Sequence, residues 1–409
     1  MSEHELTDEQ REIRALARRF AAEEIAPHAG TWDREHRFPR EVFAQLGELG
    51  LMGACIPVEH GGAGTDFLSY VLALEELARA DGGVAVTVAV HTSAVELPLL
   101  AHGSPEQVAR WLPPLAQGHE LGAFALTEPE AGSDAAALRT RAVAGDGGGA
   151  GGGAGASDVL ITGAKQFITT GSHAHVLIVF ARERGAAGGG SAGGGSTGSG
   201  SGAGGDRISA FVVRRPSPGL AVAREEEKMG LNSSSTAALT FDQTPGELLG
   251  EAGAGMRIAL GTLDGGRIGI AAQAVGIAQA ALDVATTYAR ERRAFGGPIG
   301  RFGAIQEKLA EMQTEVEAAR ALTWRAARLK QAGRPHTVEG AQAKLFASRV
   351  ARHWTGEAIQ ILGGYGYTRE FPAERYYRDA KVTEIYEGTS EIQRLVIARA
   401  LLGEAARGA

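Results

Sequence analysis

The chain has 409 residues, a formal net charge of −7, 44% hydrophobic and 22% charged residues. Those proportions describe a globular protein with two or three folding units sharing a sizeable core, and they exclude a disordered chain. A mildly acidic balance disfavours sequence-independent binding to nucleic acid, which takes concentrated lysine and arginine, so no nucleic-acid partner is expected.

The N-terminal residues Met1 to Gln10 are acidic and polar, unlike a signal or transit peptide. Residues 7–120 read as helical. Thr7 and Gln10 form a capping-box pattern ahead of Ile13, Leu16, Ala17 and Phe20 at helical spacing. A second helix starts near Pro39 with Val42, Phe43, Leu46 and Leu49 on one face. A third carries Leu68, Val71, Leu72, Glu75 and Leu77. Ser104-Pro105-Glu106-Gln107 supplies a cap, a first-turn proline and a capping-box partner for another.

Between about 121 and 245 the period changes. Residues 159–161, 176–180, 208–213 and 237–241 are short β-rich runs separated by turn formers. With no long helical pattern between them, an antiparallel sheet is expected. Glycine is over-used, at 59 residues, and twenty of these fall in tracts 145–155 and 185–205. Such Gly/Ser/Ala runs read as flexible surface insertions between strands. Gly189 to Gly193 fits the nucleophile-elbow pattern, but no strand–turn–helix signal frames it. Helical spacing returns over about 254–290, 301–331, 336–362 and 390–402, as in a bundle that extends across a subunit interface. The predicted organisation is α+β: a helical unit at 1–120, a β unit at 121–245 and a helical bundle at 246–409. No run of about 18 apolar residues is found, so no membrane-spanning helix is expected. The single cysteine, Cys55, rules out an internal disulfide and a thiolate metal cage; with it, a reducing cytoplasm is expected.

There is no Walker sequence, no His-Glu-x-x-His, and no G-x-G-x-x-G between a strand and a helix, which disfavours a nicotinamide-binding domain and a metal site. Four segments carry chemistry. Phe124-Ala-Leu-Thr127-Glu-Pro-Glu-Ala-Gly-Ser133-Asp134 sets hydroxyls among small residues and turn formers, either to admit a ligand close to the backbone or simply as a polar capped loop. Lys165-Gln-Phe167-Ile168-Thr169-Thr-Gly171 offers an aromatic face and two hydroxyls to a flat ring, or is an ordinary strand ending in a turn. Arg290-Glu-Arg292-Arg293 before a Gly-Pro turn fits a phosphate or a solvated basic helix end. Last, Glu387 lies between Tyr386 and Gly388, just ahead of a helix that Thr389 or Ser390 can cap. A carboxylate there suits a general base, or is ordinary first-turn acidity.

Together, in this order, the segments T-E-P-x-A-G-S-D and I-Y-E-G-T-S-E-I-Q resemble the flavin-dependent acyl-CoA dehydrogenases, from about residue 5 to 402. The short-chain (butyryl-type) branch is the most similar, on Gly266 to Ala271 and Ser234 to Ala237. The resemblance implies an N-terminal helical domain, a middle β-domain and a C-terminal four-helix bundle, assembled as a tetramer. It implies FAD bound by Phe124, Ala125, Leu126, Thr127, Ser133, Phe167, Ile168 and Thr169. Arg292 and Gln360, Ile361, Leu362, Gly363 and Gly364 would complete the site across the dimer, with Thr389, Ser390 and Glu391 as the last contact. Many members carry Trp at Phe167, and Gly303 stands where a glutamine commonly touches FAD. Ser133, Asp264, Arg267, Tyr386 and Gly388 resemble residues along the acyl-CoA channel. Glu387 matches the base that takes the α-proton while flavin N5 accepts the β-hydride, giving a trans-2-enoyl thioester. A branch of the family places the base just before Arg267; Gly266 stands there, so Glu387 alone remains for the task. Electron-transfer flavoprotein is the family's usual acceptor. An oxidase or monooxygenase on the same scaffold and a DNA-associated relative are the alternatives; the Tyr-Glu-Gly base and the net charge argue against them.

Overall fold

The computed structural model describes residues 6–145, 159–183 and 207–406. The first unit is helical: α1 (Asp8–Phe20), α2 (Ala26–Glu35), α3 (Arg40–Glu48), α4 (Phe67–Ala80), α5 (Gly82–Val90), α6 (Leu97–His102) and α7 (Pro105–Ala116). Both capping boxes form, Thr7 with Gln10 and Ser104 with Gln107. Asp66 and Asp81 cap α4 and α5, each side chain accepting from the backbone three residues on. Nearly every residue of α4 is buried, which requires partners on all sides; α1, α5 and a long helix of the last unit supply them.

The middle unit holds β1 (Gly122–Ala125), β2 (Arg141–Ala144), β3 (Val159–Thr169), β4 (Val176–Glu183), β5 (Arg207–Arg214), β6 (Leu220–Glu225) and β7 (Thr236–Leu249). Strands β4, β2, β3, β7 and β5 pair in that order and β5 pairs back with β4, closing a ring; β1 adds to β4 and β6 to β7. The four predicted runs are β3, β4, β5 and β7. The sheet is mainly antiparallel, as expected, except that β1 and β2 both run parallel to β4. Neither follows β4 through a hairpin. β1 enters from the helical unit and β2 continues along the same side of β4, so both share its direction. β7 also runs on to Leu249, beyond the predicted boundary at 245. Tract 185–205, and all of tract 145–155 except Gly145, lie outside the described residues.

The last unit contains α8 (Gly255–Glu291), α9 (Gly303–Gln331), α10 (Thr337–Leu362), the short α11 (Gly364–Tyr367), α12 (Ala373–Val382) and α13 (Ser390–Leu402). α10 packs along α8 and α9, with α12 and α13 against it. Segments 82–102 and 255–291 are long and apolar enough to cross a membrane by composition, because valine, isoleucine, leucine and alanine keep the mean hydropathy high although glycine, threonine and polar residues interrupt the apolar run. In the fold 83% of each apolar window is buried, so these are core helices. α8 is the spine: Ile268, Ala271, Ala272 and Val275 join Leu68, Val71 and Leu72 of α4 in the main core.

Candidate active site

Glu387 sits in the turn between α12 and α13. Two successive residues take left-handed backbone, Glu387 at φ 52° and Gly388 at φ 87°. Glycine adopts that conformation freely, whereas a glutamate there is strained. The turn is held from several sides. Ser390 N–H donates to Glu384 O at 2.9 Å. Gln393 Nε2 donates to the carbonyls of Glu387 and Gly388, at 3.2 and 2.8 Å. Thr389 caps α13, accepting from Ile392 N–H at 3.4 Å.

The Glu387 side chain lies against α8. A Cβ at Gly266 would come within 2.7 Å of its Oε2, so the missing side chain makes room for the carboxylate. That oxygen is shut off from solvent and has no hydrogen-bond partner. Burial pushes the Glu387 carboxyl up to about 7, against the opposing pull of Arg267 and Lys344. Arg267 is buried, with Nη1 donating to Asp264 Oδ1 at 2.6 Å and Nε without a partner. Asp264 Oδ2 accepts from Thr337 at 2.6 Å. Tyr386 donates its hydroxyl to Gln273, whose Nε2 donates to Gly82 O at 2.7 Å. Of the predicted channel residues, Asp264, Arg267, Tyr386 and Gly388 thus surround the base, while Ser133 lies exposed on its own loop.

The two proposed ring-binding segments are stitched together. Gln166 N–H donates to Thr127 O at 2.9 Å. The fully buried Lys165 donates to Leu126 O at 3.0 Å and to Glu128 Oε1 at 2.9 Å. Glu128 also accepts from Arg139 and Thr140 N–H. Burial raises its carboxyl, but Lys165 and these donors outweigh burial and leave it below the usual range. Burial in turn lowers Lys165 to about 8. Phe124 packs edge-on to Phe180 and joins Tyr386 against one apolar cluster, which connects this loop to the base. Ala125, Leu126 and Ile168 are buried and Thr169 half-buried, but Phe167 is 62% exposed at φ 58°. A large apolar ring held out on strained backbone fits a role against a flat ligand such as the isoalloxazine of FAD.

A third group forms elsewhere. Arg292, Ile361, Leu362, Gly363 and Gly364 line an open cavity of about 540 Å³ with Tyr288, Tyr365 and Glu370. The Arg292 guanidinium lies 5.5 Å from the Tyr365 ring centre, and nothing stands where side chains of Gly363 or Gly364 would be. A cation beside bare backbone fits a pyrophosphate. Gln360 is exposed and outside that lining, Ser390 Oγ donates to Glu384 O at 3.4 Å, and Glu391 pairs with Arg394 at 3.1 Å. Sequence reasoning missed Lys344, Gln273 and Gln393. Lys344 had a signal: it falls on the face of α10 with Gly340, Ala347 and Ala351, all buried.

The three units match, in order, the acyl-CoA dehydrogenase N-terminal domain over residues 7–119, the middle domain over 123–244 and the C-terminal domain over 253–402. The chain belongs to the acyl-CoA dehydrogenase family. It is 47% identical over 401 residues to the short-chain specific acyl-CoA dehydrogenase, mitochondrial, of Bos taurus, covering 97% of this chain and 91% of that one. Its fold superimposes on butyryl-CoA dehydrogenase from Megasphaera elsdenii with a TM-score of 0.88 and 42% identity, over 97% of this chain and 99% of that one. An acyl-CoA dehydrogenase complexed with FAD from Bacillus anthracis matches with a TM-score of 0.88 at 33% identity, over 100% of this chain and 69% of the other. Members of this acyl-CoA dehydrogenase family bind FAD.

Proposed function

We propose that this acyl-CoA dehydrogenase oxidises short-chain acyl-CoA thioesters to trans-2-enoyl-CoA, a reaction of fatty acid β-oxidation, with Glu387 as the base. The observation that carries the reading is the Glu387 carboxylate: buried, without a partner, held near neutrality and set against a glycine that leaves it room. Buried polar groups are almost always satisfied, so an orphan of this kind is a group waiting for a ligand. Arg267 Nε, orphaned beside it, supplies a donor on the same side. Glu387 Oε2 takes the α-proton; desolvation strengthens it as a base, and the pull of Arg267 keeps a useful fraction ionised. Asp264, Arg267, Tyr386, Gly388 and Ser133 form the substrate channel in this reading. FAD, when bound, supplies the acceptor for the β-hydride. Phe124 to Thr127, Ser133 and Phe167 to Thr169 hold its ring, with Thr389 to Glu391 beside them. Arg292 and Gln360 to Gly364 hold its phosphates.

Assembly belongs to the same reading. Gly266 lies in the first half of α8 and Arg292 caps its C-terminal end, about 39 Å apart at 1.5 Å per residue. One cofactor cannot touch both in a single chain, so Arg292 serves the site of a second copy, and we take the enzyme as a homotetramer. An electron-transfer flavoprotein is the acceptor for the reduced flavin, and the cytoplasm is the compartment, in keeping with a single cysteine. The units run 1–120, 121–245 and 246–409, with β7 carrying the second to Leu249.

Anaerobic reduction of the bound flavin tests the reading. Butyryl-CoA should bleach it faster than longer acyl-CoAs do. Glu387→Gln should keep FAD and lose about 10²–10⁴-fold or more in turnover, the usual cost of losing a general base. A Gln variant with more than half of wild-type turnover would sink the assignment.

A further inference from the structure

Lys344, on α10, binds the base's turn from a separate helix, and the chemistry above does not use it. Its side chain is fully buried, and Nζ donates to the Gly388 carbonyl at 2.8 Å. The same carbonyl accepts from Gln393 Nε2 at 2.8 Å, while Gln393 also holds the Glu387 carbonyl. These donors fix the two peptides that follow the strained Glu387. A buried lysine is costly, so its retention at a core position calls for a specific partner.

We propose that Lys344 is a positioning residue for the Glu387 base: its ammonium pins the Gly388 carbonyl, locks the left-handed turn, and so aims the carboxylate across Gly266. The inference rests on Glu387 being the base. Without the Lys344 donor the Gly388 carbonyl keeps only Gln393, and the Gly388–Thr389 peptide is freer to rotate, which lets the left-handed pair at Glu387 and Gly388 relax and carry the carboxylate away from α8. Lys344 adds a positive charge near the base. The groups that face Glu387 are Arg267 from α8, Lys344 from α10, Tyr70 from α4 and Tyr386 from its own turn. Those that face Lys344 are Glu387, Arg267, Glu384 and Glu391. Losing Lys344 leaves Arg267 as the remaining cation acting on Glu387, so the base should titrate at higher pH.

The experiment uses FAD-loaded enzyme and butyryl-CoA. Lys344→Met keeps the unbranched chain, one atom shorter, and removes both donor and charge. It should lower kcat by about 10- to 100-fold, the scale expected when a reacting group is misplaced by an ångström. KM and flavin content should stay near wild type, and the rising limb of the pH profile should move to higher pH. Lys344→Gln restores a donor without the charge; it should recover part of kcat while the pH shift persists. If Lys344→Met does not fold, Lys344→Gln decides: a wild-type kcat together with a wild-type pH profile overturns the proposal. So does a folded, flavin-loaded Lys344→Met that matches wild type in both. Combining Lys344→Met with Glu387→Gln separates the two readings. If Glu387 is the base and Lys344 acts through it, the double variant is no slower than Glu387→Gln alone. If Glu387→Gln is itself active, the base assignment has failed. If Lys344→Met still slows Glu387→Gln, Lys344 acts on something else, and the positioning role has failed.

Discussion

As the proposed base, Glu387 would work only while ionised, and its carboxyl is held near the middle of the physiological range. With burial raising its carboxyl to about 7, kcat/KM of the FAD-loaded enzyme should climb with pH through about 7, the ionised fraction of the free enzyme setting the rising limb. A profile already flat at about pH 5 would mean that the carboxyl is not buried in solution. Gly266 tests the geometry from the other side. In Gly266→Ala the new Cβ would meet Glu387 Oε2 at 2.7 Å, forcing the carboxylate to move. Turnover should fall about 10- to 100-fold with the flavin still bound and the helix, if anything, firmer; an unchanged kcat would place the carboxylate elsewhere. Glu387 stands out in the chain itself, because its neighbours Tyr386, Gly388 and Thr389 mark a turn just ahead of a helix. Lys344 could not be read so directly. A lysine in a helix is usually solvated, and only its position among buried small residues, seen once α10 meets α8, marks it as internal.

Between elements, a buried set of charges fastens α4 to α8 and α9. Glu75 accepts from Arg320 Nε at 3.0 Å and from Trp324 Nε1 at 2.7 Å, and Arg320 also donates to Gln279 of α8 at 2.8 Å. Burial raises the Glu75 carboxyl despite Arg320. Arg320→Met would leave that carboxylate without its main cation, and unfolding by denaturant should show a loss of about 3–5 kcal/mol; a loss below about 1 kcal/mol would mean that water reaches Glu75. Arg292 belongs to this scale too, since it ends α8. In the proposed phosphate-binding role, Arg292→Ala would remove a charge-assisted contact worth about 1.5–3 kcal/mol, so flavin affinity should drop about 10- to 150-fold and purified protein should come out partly colourless. Normal flavin content and normal size-exclusion elution would refute its role. Elements with strong caps or long periodic faces were legible: α1, α7, α8 and α10 begin within a residue or two of expectation. β1, β2 and β6 were not. They are only four to six residues long, and parallel pairing with β4 depends on partners that no local pattern encodes.

Across the whole molecule, the three units meet at one polar junction. Asp33 of α2 accepts from Asn232 at 2.9 Å and from Arg378 of α12 at 2.6 Å, while Asp379 accepts from Leu231 N–H at 2.6 Å. The order helices, sheet, helices was visible in the changing period of the sequence; this junction was not, because its members are widely separated in the chain. The strands on either side of tract 185–205 already pair, Glu183 opposite Arg207. The tract contains no apolar side chain larger than alanine, so it has nothing to bury. Deleting residues 187–204 should leave the unfolding temperature and activity nearly unchanged, and a loss of flavin on deletion would show that the tract shapes the site.

The left-handed backbone at Glu387 sets catalysis against durability. A residue at φ 52° with an unsatisfied buried carboxylate is a poor choice for the fold, and glycine would suit that position better. Glu387→Gly should therefore give a dead enzyme that outlasts the living one, more stable by roughly 1 kcal/mol or more once the strain and the orphaned charge are gone. Heat or age would then be expected to favour chains that have lost this glutamate, and only the need for turnover would keep it in place.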